Sequence, residues 1–147
     1  MLHHTKALHS IYTDVLERIP AEVRVVHPGN FAQILSILAE YFIIKLSAEI
    51  DLYCNNNADL INSNIVNCIE KDTRYDTIEL AIRCFKMNIC NAAEKEAIIS
   101  IKNLRNQDFA HNCEINTKGI ELEHMAYEFM KQADSFLNKL DNYLKTL

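Results

Sequence analysis

The chain has 147 residues, 49% hydrophobic and 24% charged, with a formal net charge of −5. That length suits one domain burying about two-thirds of its unfolded surface, and that composition excludes a disordered chain. The negative balance argues against a protein that coats nucleic acid generally, but not against one with a locally positive cleft.

Two Gly and two Pro leave little room for β-turns. No run approaches about 18 uncharged apolar residues, and MLHHTKALHS has no hydrophobic signal core, so neither a membrane span nor a secretion signal is expected. The expected location is cytoplasmic. In that compartment Cys54, Cys68, Cys84, Cys90 and Cys113, an odd number without C-x-x-C spacing, are expected as free, mostly buried thiols.

Along the chain, the 3–4 spacing of Leu8, Ile11, Tyr12, Val15, Leu16 and Ile19 predicts a first helix over Thr5 to Ile19, ended by Pro20. His3, His4 and His9 at its start lack a carboxylate or Cys partner and are expected to be inert toward metals. A connector follows, with a short extended piece at Val23 to Val26, and Pro28-Gly29-Asn30 forms a turn and cap. The second helix, from about Phe31 to Tyr53, is apolar on most of its circumference. Its thin polar stripe of Gln33, Glu40, Ser47 and Asp51 makes it the expected central element or the border of a dimer interface.

Cys54-Asn55-Asn56-Asn57 is expected to end that helix. Ala58 to Lys71 is then a weaker helix or an irregular lid, because its Asn and Ser residues compete with helical hydrogen bonds. Asp76 with Glu79 is cap-like, and Ile78, Ala81, Ile82, Phe85 and Ile89 predict a helix ending near Met87 to Cys90. Thr117 is the expected cap of a long last helix carrying Leu122, Ala126, Phe129, Met130, Ala133, Leu137, Leu140, Leu144 and Leu147. The whole reads as a single all-α domain over residues 1–147, an antiparallel four-helix bundle with one or two additional short helices. With no Gly-rich phosphate loop and no H-E-x-x-H, no cofactor or metal is expected.

The stretch Asn91 to Cys113 is the most informative. Asn91 and Glu94 form a capping-box-like start, and Ala97, Ile98, Ile101, Leu104 and Phe109 follow at helical spacing. Arg105 falls in the middle of that apolar stripe, so its guanidinium must snorkel outward, find an anion or face a second protein surface. On an unbroken helix His111 points about 240° away from Arg105. The two share a site only if the helix ends near Ala110 to Asn112, where HNCEINTKG supplies a plausible stop.

Leu104-Arg105-Asn106 followed by Ala110-His111 resembles the Arg-x(4–6)-His signature of the HEPN superfamily, small helical bundles many of which are metal-independent ribonucleases of toxin–antitoxin, antiviral and RNA-processing systems. With five Arg and six His, the bare pair is expected about 0.6 times by chance, and about 0.06 times once Asn must follow Arg. The Asn and the position at a helix end therefore carry the resemblance. It implies catalytic roles for Arg105, Asn106 and His111, RNA as substrate with Lys102 helping to bind it, a homodimer whose paired motifs line a shared cleft, and a separately encoded antitoxin. Where related toxins tend to carry Tyr two residues after the His, this chain has Cys113, so regulation through that Tyr is not implied. The alternative reading is a non-catalytic HEPN-like helical dimer serving as an interaction module. A helix dipole favours cations in a last turn, so Arg105 and His111 are also ordinary there without any function.

Overall fold

The computed structural model describes residues 1–18, 20, 28–66, 76–109 and 119–147, with side chains described for 1–11, 13–14, 17–18, 20, 37–66, 76–106 and 125–147. Six helices account for most of them: α1 (His3–Arg18), α2 (Pro28–Asn56), α3 (Ala58–Asn64), α4 (Thr77–Lys86), α5 (Ala92–Asn103) and α6 (Gly119–Lys145). A π-helical turn, Leu104–Phe109, prolongs α5. No strand occurs among the described residues, so the fold is all-α. The expected extended piece at Val23 to Val26, the cap at Thr117, and Cys68 and Cys113 lie outside them.

The helix boundaries follow from who satisfies the free N–H and C=O groups at each end. At α4 the Asp76 carboxylate accepts from the Ile78 N–H at 2.9 Å. At α5 the box is complete: Asn91 Oδ1 accepts from the Glu94 N–H at 2.8 Å and Glu94 Oε1 accepts from the Asn91 N–H at 2.9 Å. The end of α4 is a Schellman motif, with the Ile89 N–H on the Cys84 carbonyl at 2.8 Å and Asn88 in the left-handed region at φ 59°.

Two ends depart from the sequence expectation. Helix α1 begins at His3 rather than Thr5 because its cap is tertiary: Glu49 of α2 accepts from the His4 and Thr5 N–H groups at 2.9 and 2.8 Å, and from the Thr5 hydroxyl. Helix α2 opens at Pro28, whose missing N–H costs nothing in a first turn, and runs through Cys54 to Asn56. There the Asn57 side-chain amide donates to the Tyr53 carbonyl at 2.9 Å, so the Asn run caps a helix that extends further than expected.

The core forms where α2 packs along α6, the most extensive helix pair. Phe42, Ile43, Leu46 and Ile50 of α2 and Phe136, Leu137 and Leu140 of α6 are all essentially without exposure. Helix α5 contributes Ile98 and Ile101, α4 contributes Leu80 and α3 contributes Ile61. Each such side chain stabilises the fold by about 1.5–3 kcal/mol relative to remaining exposed, before the entropy of ordering the chain is counted. Helix α1 lies on α2 and is tied to α6 by Lys6 Nζ on Asp134 Oδ2 at 2.9 Å.

Helix α2 is central, as its composition predicts, but it distributes its residues unexpectedly. Its polar stripe turns partly inward, with Ser47 fully buried, while Ile37, Tyr41, Ile44 and Leu52 are left exposed on the other side. The described part of the predicted Ala58 to Lys71 segment is helical as far as Asn64.

Candidate functional site

Arg105 and Asn106, two of the residues named from the sequence, lie just beyond the end of α5. Ile98 and Ile101 are buried to 0% exposure, and one turn on Leu104 is still half-buried. Arg105 and Asn106 are exposed. Two features keep Arg105 out of the core although its spacing points it inward. The α-helical hydrogen-bond pattern gives way at Leu104 to a π-helical turn, which widens the backbone and changes the phase of the side chains. The stripe has also reached the end of α2, where Asn55 and Asn56 are exposed and no apolar surface awaits a next residue. Of the three outcomes open to Arg105, the structure places it in solvent, with Nη1 donating to Asn106 Oδ1 at 3.2 Å. Among the described side chains no carboxylate pairs with it. Glu94 is buried at the other end of α5 and engaged there by Ser135 and Lys139, both at 2.6 Å.

Arg105 and Asn106 sit at the rim of a cleft of about 250 Å³ whose other walls are Asp51, Cys54 and Asn55 of α2, Asp76 and Thr77 at the start of α4, and Lys102. Lys102 is 8% exposed, and its ammonium donates to Ser47 Oγ at 3.0 Å and to both Asp51 oxygens at 2.9 and 2.7 Å. Three N–H donors meet three acceptor atoms, so Lys102 lines the cleft with its hydrogen-bonding capacity already committed. Asp51 Oδ1 also accepts from the Thr77 hydroxyl at 2.9 Å, which ties α2, α4 and α5 together at the cleft floor.

With the Lys102 and Asp51 charges offsetting each other, the groups left to face a ligand are the Arg105 guanidinium, the Asn55 and Asn106 amides and the Asp76 carboxylate. The cleft is therefore bipolar, cationic at Arg105 and anionic at Asp76. His111, the third catalytic residue expected, lies outside the described residues, as does the helix end expected near Ala110 to Asn112.

Sequence reasoning located Arg105, Asn106 and Lys102, and it read Asp76 only as a cap. It missed the part played by Ser47 and Asp51. The signal was present: a polar stripe on a helix otherwise apolar all round implies a buried polar partner somewhere, and Lys102 is that partner. Which cation it was could not be read, because 51 positions separate Asp51 from Lys102.

Two of the buried thiols, Cys84 and Cys90, are inert. Burial pushes Cys84 up to about 12 and Cys90 up to about 11, so neither supplies a thiolate near neutral pH. The described residues hold no group of three or more His, Cys, Asp or Glu side chains arranged for a metal ion. No helix among them is long and apolar enough to cross a membrane.

The fold and the cleft thus define an all-α protein with a small, bipolar polar site where two helix ends and a π-helical turn converge. Compared with protein-family models, curated proteins and solved structures, the chain finds no match.

Proposed function

We propose that the chain is a metal-independent endoribonuclease of the toxin–antitoxin or antiviral defence type, acting in a HEPN-like bundle and as a homodimer. The observation that carries this reading is the exposed Arg105–Asn106 pair at the rim of the polar cleft. It is a cation unpaired among the described side chains, carried on a π-helical turn of the kind found often at functional sites, with His111 six positions on in the sequence.

The chemistry assigns each group a task. The ribose 2′-hydroxyl attacks the adjacent phosphorus as its proton leaves, and the bond from phosphorus to the 5′-oxygen breaks as that oxygen gains a proton. The products are a 2′,3′-cyclic phosphate and a 5′-hydroxyl. An imidazole with an unperturbed pKa near 6.5 suits both transfers, and two His111 side chains across a two-fold axis supply base and acid together. Arg105 offers a fixed-charge fork to the phosphate oxygens where negative charge builds. Asn106 holds that fork in place by accepting from Nη1, and Lys102 acts on the substrate by fixing the cleft floor. An antitoxin encoded separately would hold the activity in check.

A second reading, a helical interaction module without catalysis, draws its support from the apolar residues exposed on α2 and from Ile11 of α1, since contiguous apolar surface of that kind marks interaction sites. Cleavage of an end-labelled structured RNA in excess EDTA separates the two, with wild type, His111→Ala and Arg105→Ala purified side by side. The nuclease reading expects cyclic-phosphate ends from wild type alone, with each variant folded and reduced at least 100-fold, the scale of losing one charge-stabilising or proton-transfer group. Equal cleavage by wild type and His111→Ala, or none by any protein, rejects it.

A further inference from the structure

The cleft holds more polarity than phosphate binding needs. Lys102 and Asp51 cancel, and the Asp76 carboxylate then opposes the Arg105 guanidinium within one cavity. A carboxylate repels a second phosphate and attracts N–H donors. Asp76 is exposed and uses only Oδ1 on the helix cap, leaving Oδ2 to accept. Asn55 and Asn106 add amides able to donate and accept, with Asn55 exposed at the last turn of α2. At about 250 Å³ the cavity lies just below the roughly 300–1,000 Å³ of pockets enclosing drug-sized ligands. It suits one nucleoside unit rather than a length of strand.

We propose that this cleft is a base-selective nucleotide subsite: Arg105 takes the phosphate, and the Asp76 carboxylate accepts from the exocyclic amino group of a base that carries one. Guanine and cytosine present that amino group beside a ring nitrogen and a carbonyl, a donor–acceptor edge that Asp76 together with an Asn55 or Asn106 amide complements. Uracil and hypoxanthine, with a carbonyl or hydrogen in the amino position, leave the carboxylate facing no amino donor, so they forgo the charge-assisted hydrogen bond that the amino-bearing bases gain. The proposal rests on the nuclease reading for its substrate class. It goes beyond that reading in assigning Asp76 a role that capping does not require, because Asn, Ser or Thr caps a helix comparably well.

That equivalence supplies the test. Asp76→Asn keeps an oxygen for the Ile78 N–H and removes the charge, so the fold is retained, as thermal denaturation will verify. Titration calorimetry on the His111→Ala protein, which binds without turnover, uses two matched pairs: guanosine against inosine 3′-monophosphate, and cytidine against uridine 3′-monophosphate. The expected result is about ten- to hundredfold tighter binding of the amino-bearing member of each pair, the scale of one hydrogen bond to a charged group. Asp76→Asn abolishes that preference while uridine binding stays, and Arg105→Ala weakens all four. Equal affinity within both pairs, a preference that survives Asp76→Asn, or no binding of any of the four overturns the proposal. Cleavage in EDTA is scored separately. Base-selective binding without cleavage leaves the subsite standing and removes the nuclease, whereas cleavage without selectivity does the reverse.

Discussion

Glu94 shows how one residue serves two structural purposes. Its side chain closes the capping box of α5 and, fully buried, accepts from Ser135 and Lys139 of α6. Burial works to raise its pKa, but the hydrogen bonds from Lys139, Ser135 and Asn91 outweigh it and hold the carboxyl below the ordinary 4.5. A carboxylate depressed in the folded state contributes stability that is fully present above its unfolded value and is lost as pH falls through the folded one. Wild type should therefore lose stability below about pH 4.5, and Glu94→Gln should flatten that acid limb while costing about 1–3 kcal/mol at pH 7. Thermal melts between pH 3 and 7 will check both. The capping role was legible from Asn91 and Glu94 standing three apart, whereas the links to Ser135 and Lys139 were not, because no local pattern announces contacts more than 40 positions away.

The Asp51–Lys102 pair makes a different residue-scale prediction, because its partners are unequally exposed. The Lys102 side chain is 10% exposed and that of Asp51 40%. Asp51→Leu strands a buried ammonium and should cost about 2–4 kcal/mol, whereas Lys102→Met leaves a carboxylate that water and Thr77 still reach and should cost about 1 kcal/mol or less. Chemical denaturation of the two variants resolves the difference, and equal losses would mean that the pair is not buried asymmetrically.

At the scale of elements, the starts of α4 and α5 were easier to read than the ends of helices. Asp76 and Asn91 cap by contacts two and three residues away, so composition alone reveals them. The end of α4 needed a left-handed residue, and Asn88 is an unobtrusive choice in a chain so rich in Asn. Asn88→Ala should destabilise by about 1 kcal/mol, because Ala lacks the short polar side chain whose local hydrogen bonding lets Asn tolerate that conformation, and Asn88→Gly should not, as melting temperatures will show. The boundary errors at α1 and α2 share one cause: tertiary or side-chain caps from Glu49 and Asn57 extended helices beyond the points where local propensity would have ended them. The π-helical turn was equally hidden, since a hydrophobic period read at 100° per residue assumes the α form throughout. That assumption put Arg105 in line with the apolar stripe and left three outcomes open for its guanidinium.

For the molecule as a whole, the apolar circumference of α2 and the long 3–4 stripe of α6 were legible, but not that these two helices pack on each other. What the stripes did not reveal was the surplus on α2, where Tyr41 and Leu52 stay 49% and 55% exposed beside Ile11 of α1 at 61%. A pair of substitutions there, Tyr41→Asp with Leu52→Asp, should leave the monomer folded, since neither side chain is in the core. If that face joins two copies, the double variant should sediment as a monomer at concentrations where wild type is a dimer, with a weakening of at least tenfold for two lost apolar anchors. Unchanged sedimentation would remove that face from the dimer.

The π-helical turn is, in accounting terms, a backbone holding one residue more than an α-helix would use over the same path. A turn closed from i to i+5 sets positions 104 and 109 nearly above one another, where an α-helix would separate them by about 140°. Counting along the sequence therefore misjudges direction after Leu104, and a gap of given length through this turn is not the same vector as an equal gap through an α-helix. The chain consequently has a built-in place to lose a residue: shortening Leu104–Phe109 by one would restore α geometry over the same path and leave both the core of α5 and the direction in which the backbone leaves the turn unchanged.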